Sequence, residues 1–149
     1  MPKILIVNGP NLNLLGRREP EVYGRVTLEE LNEQLRELGR DLNLELMFYQ
    51  SNSEGAIIDY LHQEGFEADG LIINPGALTH SSHSLRDAIG GIGIEAVEVH
   101  ISNIYGREEF RRTSVIAPVC RGQLVGFGYY GYAMALSYFA DKSVGENDG

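Results

Sequence analysis

The run Lys3-Ile4-Leu5-Ile6-Val7-Asn8-Gly9-Pro10-Asn11-Leu12-Asn13-Leu14-Leu15-Gly16-Arg17-Arg18-Glu19-Pro20-Glu21-Val22-Tyr23-Gly24 decides how the rest of the chain reads. It begins as a short, continuous apolar strand, Lys3–Val7, and breaks at Asn-Gly-Pro, a turn signal. A strand without polar alternation is covered on both faces, which is the habit of a parallel sheet. The loop that follows is longer than such connections usually are, and long ordered loops tend to be lids or binding loops. This one carries two asparagines, two adjacent arginines and a tyrosine beside a glycine.

Working outward, Thr27-x-x-Glu30 is a capping box. Leu28, Leu31, Leu35, Leu38 and Leu42 then recur at helical spacing and predict a helix over 28–41. Leu44–Tyr49 reads as a second strand, and Ser51-x-x-Glu54 or Ser53 caps a helix through Ile57, Ile58 and Leu61 that stops at Gly65. Asp69–Ile73 is a third strand closed by Asn74-Pro75-Gly76. A third helix starts at Ser81 or Ser82, carries Leu85, Ala88 and Ile89, and is expected to end at Gly90-Gly91. Ile94–Val99 forms a fourth strand ending at His100. A short helical stretch over Glu108–Arg112, a fifth strand over Leu124–Phe127 and a last helix over Tyr132–Ala140 complete the pattern, with a tail expected to fray from Ser143.

Five alternations of strand and helix predict an α/β three-layer sandwich with a five-stranded parallel sheet. The flavodoxin-like order 2-1-3-4-5 is the expected winding. At 149 residues the chain reads as one domain. Its net charge of −9 argues against nucleic acid as partner, since that binding rests on basic residues neutralising phosphates. No apolar run approaches the roughly 18 residues of a membrane span, and the N-terminus lacks the features of a signal peptide; the expected location is cytoplasmic. Cys120 is the one cysteine, so it reads as a filler and not as half of an intrachain disulfide.

In open α/β sheets ligands bind beyond the carboxyl ends of the strands, at the switch point. Strand one ends in Asn8-Gly9-Pro10-Asn11, strand three in Asn74-Pro75-Gly76, strand four in His100-Ile101-Ser102-Asn103. In the expected order these ends are neighbours, so Asn11, Asn74, His100 and Ser102 should converge beneath the Arg17–Tyr23 loop. Glu98 lies two residues before His100 and hence on the same strand face, where a carboxylate orients an imidazole. A phenol acting as a base must ionise from a reference pKa near 10, which takes roughly 4 kcal/mol at pH 7. A guanidinium within a few ångströms in a closed site supplies stabilisation of that kind, and Arg17 and Arg18 are the candidates on the loop. Arg107 and Arg111, four apart, share a helical face, so that one of them could reach the site. His80, His83 and Asp87 have helical spacing suited to chelation, but no fourth metal ligand is signalled nearby.

Gly126-Phe127-Gly128-Tyr129-Tyr130-Gly131 spells a dinucleotide fingerprint, but the chain ends before the strand and acidic residue that motif requires. Its glycines are expected to let the last helix pack closely on the sheet.

The segments N-G-P-N-L-N-L-L-G-R-R-E-P-x-x-Y-G at 8–24, N-P-G-A-L-T-H at 74–80 and E-V-H-I-S-N-x-x-x-R-E-E-F-R at 98–111 resemble the type II 3-dehydroquinate dehydratase family. The resemblance spans Lys3 to about Ala140. It implies a flavodoxin-like fold, a homo-oligomer (a dodecamer built as a tetramer of trimers), and a hydro-lyase needing no metal or organic cofactor. The implied reaction is the reversible anti-elimination of water from 3-dehydroquinate, giving 3-dehydroshikimate, a step of the shikimate pathway. It implies Tyr23 as the base and Arg18, ahead of Arg17, as the cation that keeps it ionised. Asn11 would hold a water at the enolate oxygen, and His100, supported by Glu98, would be the acid. Asn74, Ile101 and Ser102 would cradle the carboxylate, His80 and Arg111 would bind ring hydroxyls, and Asp87 would come from a neighbouring subunit. Tyr105 stands where relatives often carry His, and Gly90-Gly91 where they often carry larger residues.

Two other classes compete. A flavin- or phosphate-binding module would use the same strand ends, but it wants a loop rich in Gly, Ser or Thr after strand one, where this chain has Asn, Leu and Arg. A metal hydrolase would use His80, His83 and Asp87.

Overall fold

The apolar runs pair into one five-stranded sheet of order β2-β1-β3-β4-β5 in a computed structural model that describes residues 1–148, with side chains to residue 142. All four pairings are parallel, between β1 (Lys3–Asn8), β2 (Glu45–Gln50), β3 (Gly70–Asn74), β4 (Ala96–His100) and β5 (Gly122–Val125). This is the expected flavodoxin-like winding, with its switch point between β1 and β3.

Alternate residues of the strands feed two cores. Ile4, Ile6 and Ile72 face α2 (Leu28–Asp41) and α5 (Tyr130–Asp148), where Leu31, Leu35, Leu136 and Phe139 meet them. Leu5, Val7, Leu71 and Ile73 face α3 (Glu54–Glu64) and α4 (His83–Ile92), against Ile57, Leu61, Leu85 and Ile89. Burial on both faces explains why these strands carry no polar alternation.

Side-chain caps start three of the helices. Thr27, Ser53 and Ser82 accept from the backbone N–H three residues on. Ser82, not Ser81, therefore caps α4. This helix runs through Gly90-Gly91 to Ile92, because its stop is set by Gly93, whose φ of 69° makes the left-handed turn that ends helices. β5 starts two residues earlier than expected and ends at Val125, because Gly126 turns away with φ 88° against Asn103. The last helix begins two residues early, at Tyr130, and a Cβ on Gly131 would lie 3.0 Å from Val99, so this glycine serves close helix–sheet packing. The expectation of a frayed tail over 143–149 falls on residues outside those whose side chains are described. Among the described residues no helix is long and apolar enough to cross a membrane.

Candidate active site

The site grows from the carboxyl ends of β1, β3 and β4. Asn8 and Asn74 are paired in register, which sets the two chain ends level. The Tyr132 hydroxyl, rising from α5, donates to Asn8 Oδ1 at 2.6 Å and accepts from Asn74 Nδ2 at 3.1 Å. Asn74 Oδ1 in turn accepts from Gly76 N–H at 3.2 Å. Burial holds the Tyr132 phenol well above its usual range, so it stays a neutral strut across the switch point.

Glu98 and His100 point to one side of β4, at 0 % and 5 % exposure. His100 Nε2–H donates to Glu98 Oε2 at 2.5 Å. Ser114 Oγ and Gln123 Nε2 donate to the same carboxylate at 2.9 and 2.7 Å. Burial alone would push the Glu98 carboxyl up. The hydrogen bond and charge of His100, with the bonds from Gln123 and Ser114, outweigh it and hold the group below the ordinary carboxylate value.

Opposite stands the lid. After a turn at Leu12–Leu14 the chain passes Gly16 and enters the one-turn helix α1 (Pro20–Tyr23) through Glu19 in a left-handed conformation. It leaves through Gly24 at φ 82°, where a Cβ would press on the Tyr129 ring. The Tyr129 hydroxyl donates to the carbonyls of Tyr23 and Val26, tying the lid to the start of α5. The Tyr23 oxygen accepts from Arg107 Nη1 at 2.6 Å, and the Arg18 guanidinium lies 5.5 Å from the Tyr23 ring centre. Arg107 also approaches Ser102 Oγ at 3.5 Å and Glu19 at 3.7 Å.

Between floor and lid lies an open cleft of about 650 Å³, its solvent-filled mouth included. Of the residues singled out in the sequence, Asn11, Arg18, Tyr23, Asn74, His80, His100, Ile101, Ser102 and Arg111 line it. Glu98 lies beneath, behind His100. Arg17 is exposed and does not line the cleft, so Arg18 is the loop arginine that reaches it. Asp87 is exposed on α4 and is not part of the cleft of its own chain. Arg107 and Arg111 both line the cleft, where the helical spacing had offered one or the other.

His80 donates Nδ1–H to the Thr113 carbonyl at 2.8 Å, which leaves Nε2 for a ligand. His83 is exposed on α4, and among the described residues no group of three or more His, Cys, Asp or Glu is placed to hold a metal ion. Burial and the nearby Glu98 charge push the Cys120 thiol up to about 12, which makes it inert as a nucleophile.

Tyr132, Tyr129, Ser114 and Gln123 were not legible as site residues. Each acts through a partner brought near only by the fold. Chemically the cleft sets a carboxylate-backed imidazole and a guanidinium-bound phenol around one space, with amide and hydroxyl groups between them. That is equipment for removing one proton and delivering another.

The family model described as Dehydroquinase class II matches residues 2–140. A protein of Pelotomaculum thermopropionicum named 3-dehydroquinate dehydratase is 58 % identical over 134 residues, covering 90 % of this chain and 93 % of its own. The crystal structure of a type II dehydroquinase from Butyrivibrio crossotus superposes with a TM-score of 0.90 at 50 % identity, covering 92 % of this chain and 96 % of that one. A second, from Propionibacterium acnes, gives 0.92 at 41 % identity over 95 % and 97 %.

Proposed function

The chain belongs to the class II dehydroquinase family, and we propose that in the dehydration of 3-dehydroquinate Tyr23 is the base and His100 the acid. The enzyme is a hydro-lyase of the shikimate pathway. The observation that carries the residue assignment is the pairing of two proton-handling groups across one cleft. On one side the Tyr23 oxygen sits under the Arg107 guanidinium; on the other, Glu98 grips His100.

Tyr23, as phenolate, takes a proton from C2, beside the ketone, and the electron pair moves into an enolate. Arg107, by its hydrogen bond, and Arg18, over the ring, stabilise the negative charge on the base before it reacts. Asn11 holds a water against the enolate oxygen, an instance of preorganised electrostatic stabilisation. The enolate then collapses and expels the C1 hydroxyl, which leaves as water with the proton from His100. One proton is taken by Tyr23 and one given by His100, so the elimination balances, and proton exchange with solvent returns Tyr23 and His100 to their starting states.

Asn74, Ile101 and Ser102 receive the substrate carboxylate, with the side chain of Asn74 fixed by Tyr132 and Gly76. His80 Nε2 and Arg111 meet ring hydroxyls. Asp87, exposed on α4, serves the cleft of a neighbouring subunit in a homo-oligomer, a dodecamer of four trimers working in the cytoplasm.

The test is to mix chelator-treated protein with 3-dehydroquinate and follow the ultraviolet absorbance of the conjugated enone. A rise at catalytic protein concentration is expected, and its loss in Tyr23→Phe and His100→Ala would assign the roles. A folded, assembled protein that binds the substrate without forming enone would overturn the reading in favour of a binding module.

A further inference from the structure

Glu98 is the most closely held side chain of the site, and two of its holders take no part in the steps above. Ser114 Oγ donates to Oε1 at 2.9 Å and lies 3.2 Å from Oε2, and Gln123, opposite Glu98 in the β4–β5 register, donates Nε2–H to Oε2 at 2.7 Å. His100 shares that second oxygen. Two further contacts give these bonds a direction. Ser114 Oγ accepts from the N–H groups of Ile116 and Ala117 at 3.2 and 2.9 Å, so its single proton is left for Glu98. An ionised carboxylate can only accept, so the amide nitrogen of Gln123 must face it and the amide oxygen must face outward. There the Tyr105 hydroxyl donates to it at 2.7 Å. A one-way chain of donors thus runs from exposed Tyr105 through Gln123 to the buried carboxylate and meets His100 on the same oxygen.

A fully buried carboxylate with only one partner is free to turn its second oxygen toward that partner or to take up a proton. With Ser114 and Gln123 in place both oxygens are held by donors, Oε1 by Ser114 and Oε2 by Gln123 beside His100, and neither option remains. We propose that Ser114 and Gln123 are positioning residues for the acid: they lock the Glu98 carboxylate in the orientation that grips His100 Nε2, so that the ring turns Nδ1 to the substrate. Tyr105 holds the Gln123 amide the right way round. The proposal rests on His100 being the acid that releases the hydroxyl.

The experiment measures two things on each variant: kcat and KM for water elimination, and exchange of the substrate C2 hydrogen with deuterated solvent. Exchange reports Tyr23 alone, and elimination reports Tyr23 and His100 together. Gln123→Met keeps the length of the side chain and cannot donate. Its kcat for elimination should fall about 10- to 100-fold, as for a lost bond to a charged group, with KM and exchange little changed. Ser114→Ala should behave likewise, and Ser114→Thr, which keeps the hydroxyl, should restore the rate. Equal losses of exchange and elimination would mark a merely structural role and overturn the proposal, as would an unchanged kcat in folded Gln123→Met. Should Gln123→Met not fold, exposed Tyr105→Phe decides: a few-fold loss confined to elimination supports the chain, and no loss overturns it. His100→Ala is the reference; if it eliminates water as the parent does, it is the assignment of the acid that falls.

Discussion

His100 and Tyr23 face one cleft and are held in opposite ways. His100, the proposed acid, sits on an interior strand of the sheet, at 5 % exposure, over a carboxylate with three donors. Tyr23, the proposed base, ends a single helical turn whose entrance, Glu19, and exit, Gly24, both take positive φ, and its oxygen is reached by an arginine from a separate segment. The difference follows from what each half must allow. A cleft that closes over its ligand needs one wall able to part from the other, and loops are where such motion is least costly. The fold therefore holds His100 in advance, while the surroundings of Tyr23 are completed where lid and Arg107 meet.

The largest effect should come from the lid. Tyr23→Phe removes the proton acceptor and leaves the ring, so kcat should fall roughly 10³- to 10⁴-fold with substrate affinity nearly kept. Steady-state kinetics and a titration by fluorescence or calorimetry would check this. Comparable losses of binding and turnover would make Tyr23 a packing residue and erase the contrast between the two walls.

His100→Ala attacks the other wall. Elimination should drop by roughly 10²- to 10⁴-fold, while the C2 hydrogen still exchanges with solvent, because Tyr23 and its arginines are untouched. Nuclear magnetic resonance of substrate in deuterated buffer would show it. Loss of exchange along with elimination would mean that the two walls do not act separately.

Arg107→Gln tests the join between them. Its guanidinium touches the Tyr23 oxygen and nears Ser102, so it bridges the lid and the end of β4. A loss near 10²-fold in kcat is expected, the scale for one donor aimed at a charged oxygen. Arg18→Gln, read beside it, sharpens the comparison, because Arg18 lies over the ring and not on the oxygen. An unchanged kcat in either variant would strike that arginine from the partners of the base.

How much of this was legible depends on sequence distance. Strand β1, the Thr27 and Ser53 caps and the polar strand ends are local patterns, and the sheet order followed from them. The cleft could be anticipated too, because Asn11, Asn74, His100 and Ser102 mark strand ends that the winding brings together. The supports were out of reach. Tyr132 meets Asn74 across 58 residues, Gln123 meets Glu98 across 25 and Ser114 meets it across 16. A buried tyrosine in a helix, or a glutamine on an edge strand, looks in the sequence like any other until register fixes its neighbour. Element ends misread for a related reason: Gly90-Gly91 resembles a stop, but only Gly93 takes the left-handed turn, and which glycine does so is a matter of packing.

The smallest effect concerns stability and belongs to the acid wall alone. Because Glu98 is held below the ordinary carboxylate value of 4.5 in the folded chain, its ionised form favours folding. That contribution is complete above the unfolded value and drains away as pH falls through the lower, folded one. Denaturant unfolding of the parent and of Glu98→Gln, compared at pH 7 and at steps below 4.5, isolates it, since every other carboxylate is common to both proteins and cancels. The parent should lose more stability than Glu98→Gln on acidification, so that the difference between the two shifts against the parent below pH 4.5. A difference that stays constant down to pH 3 would mean that Ser114, Gln123 and His100 do no more for the buried carboxylate than water does in the unfolded chain. His100 would then be no better held in advance than Tyr23.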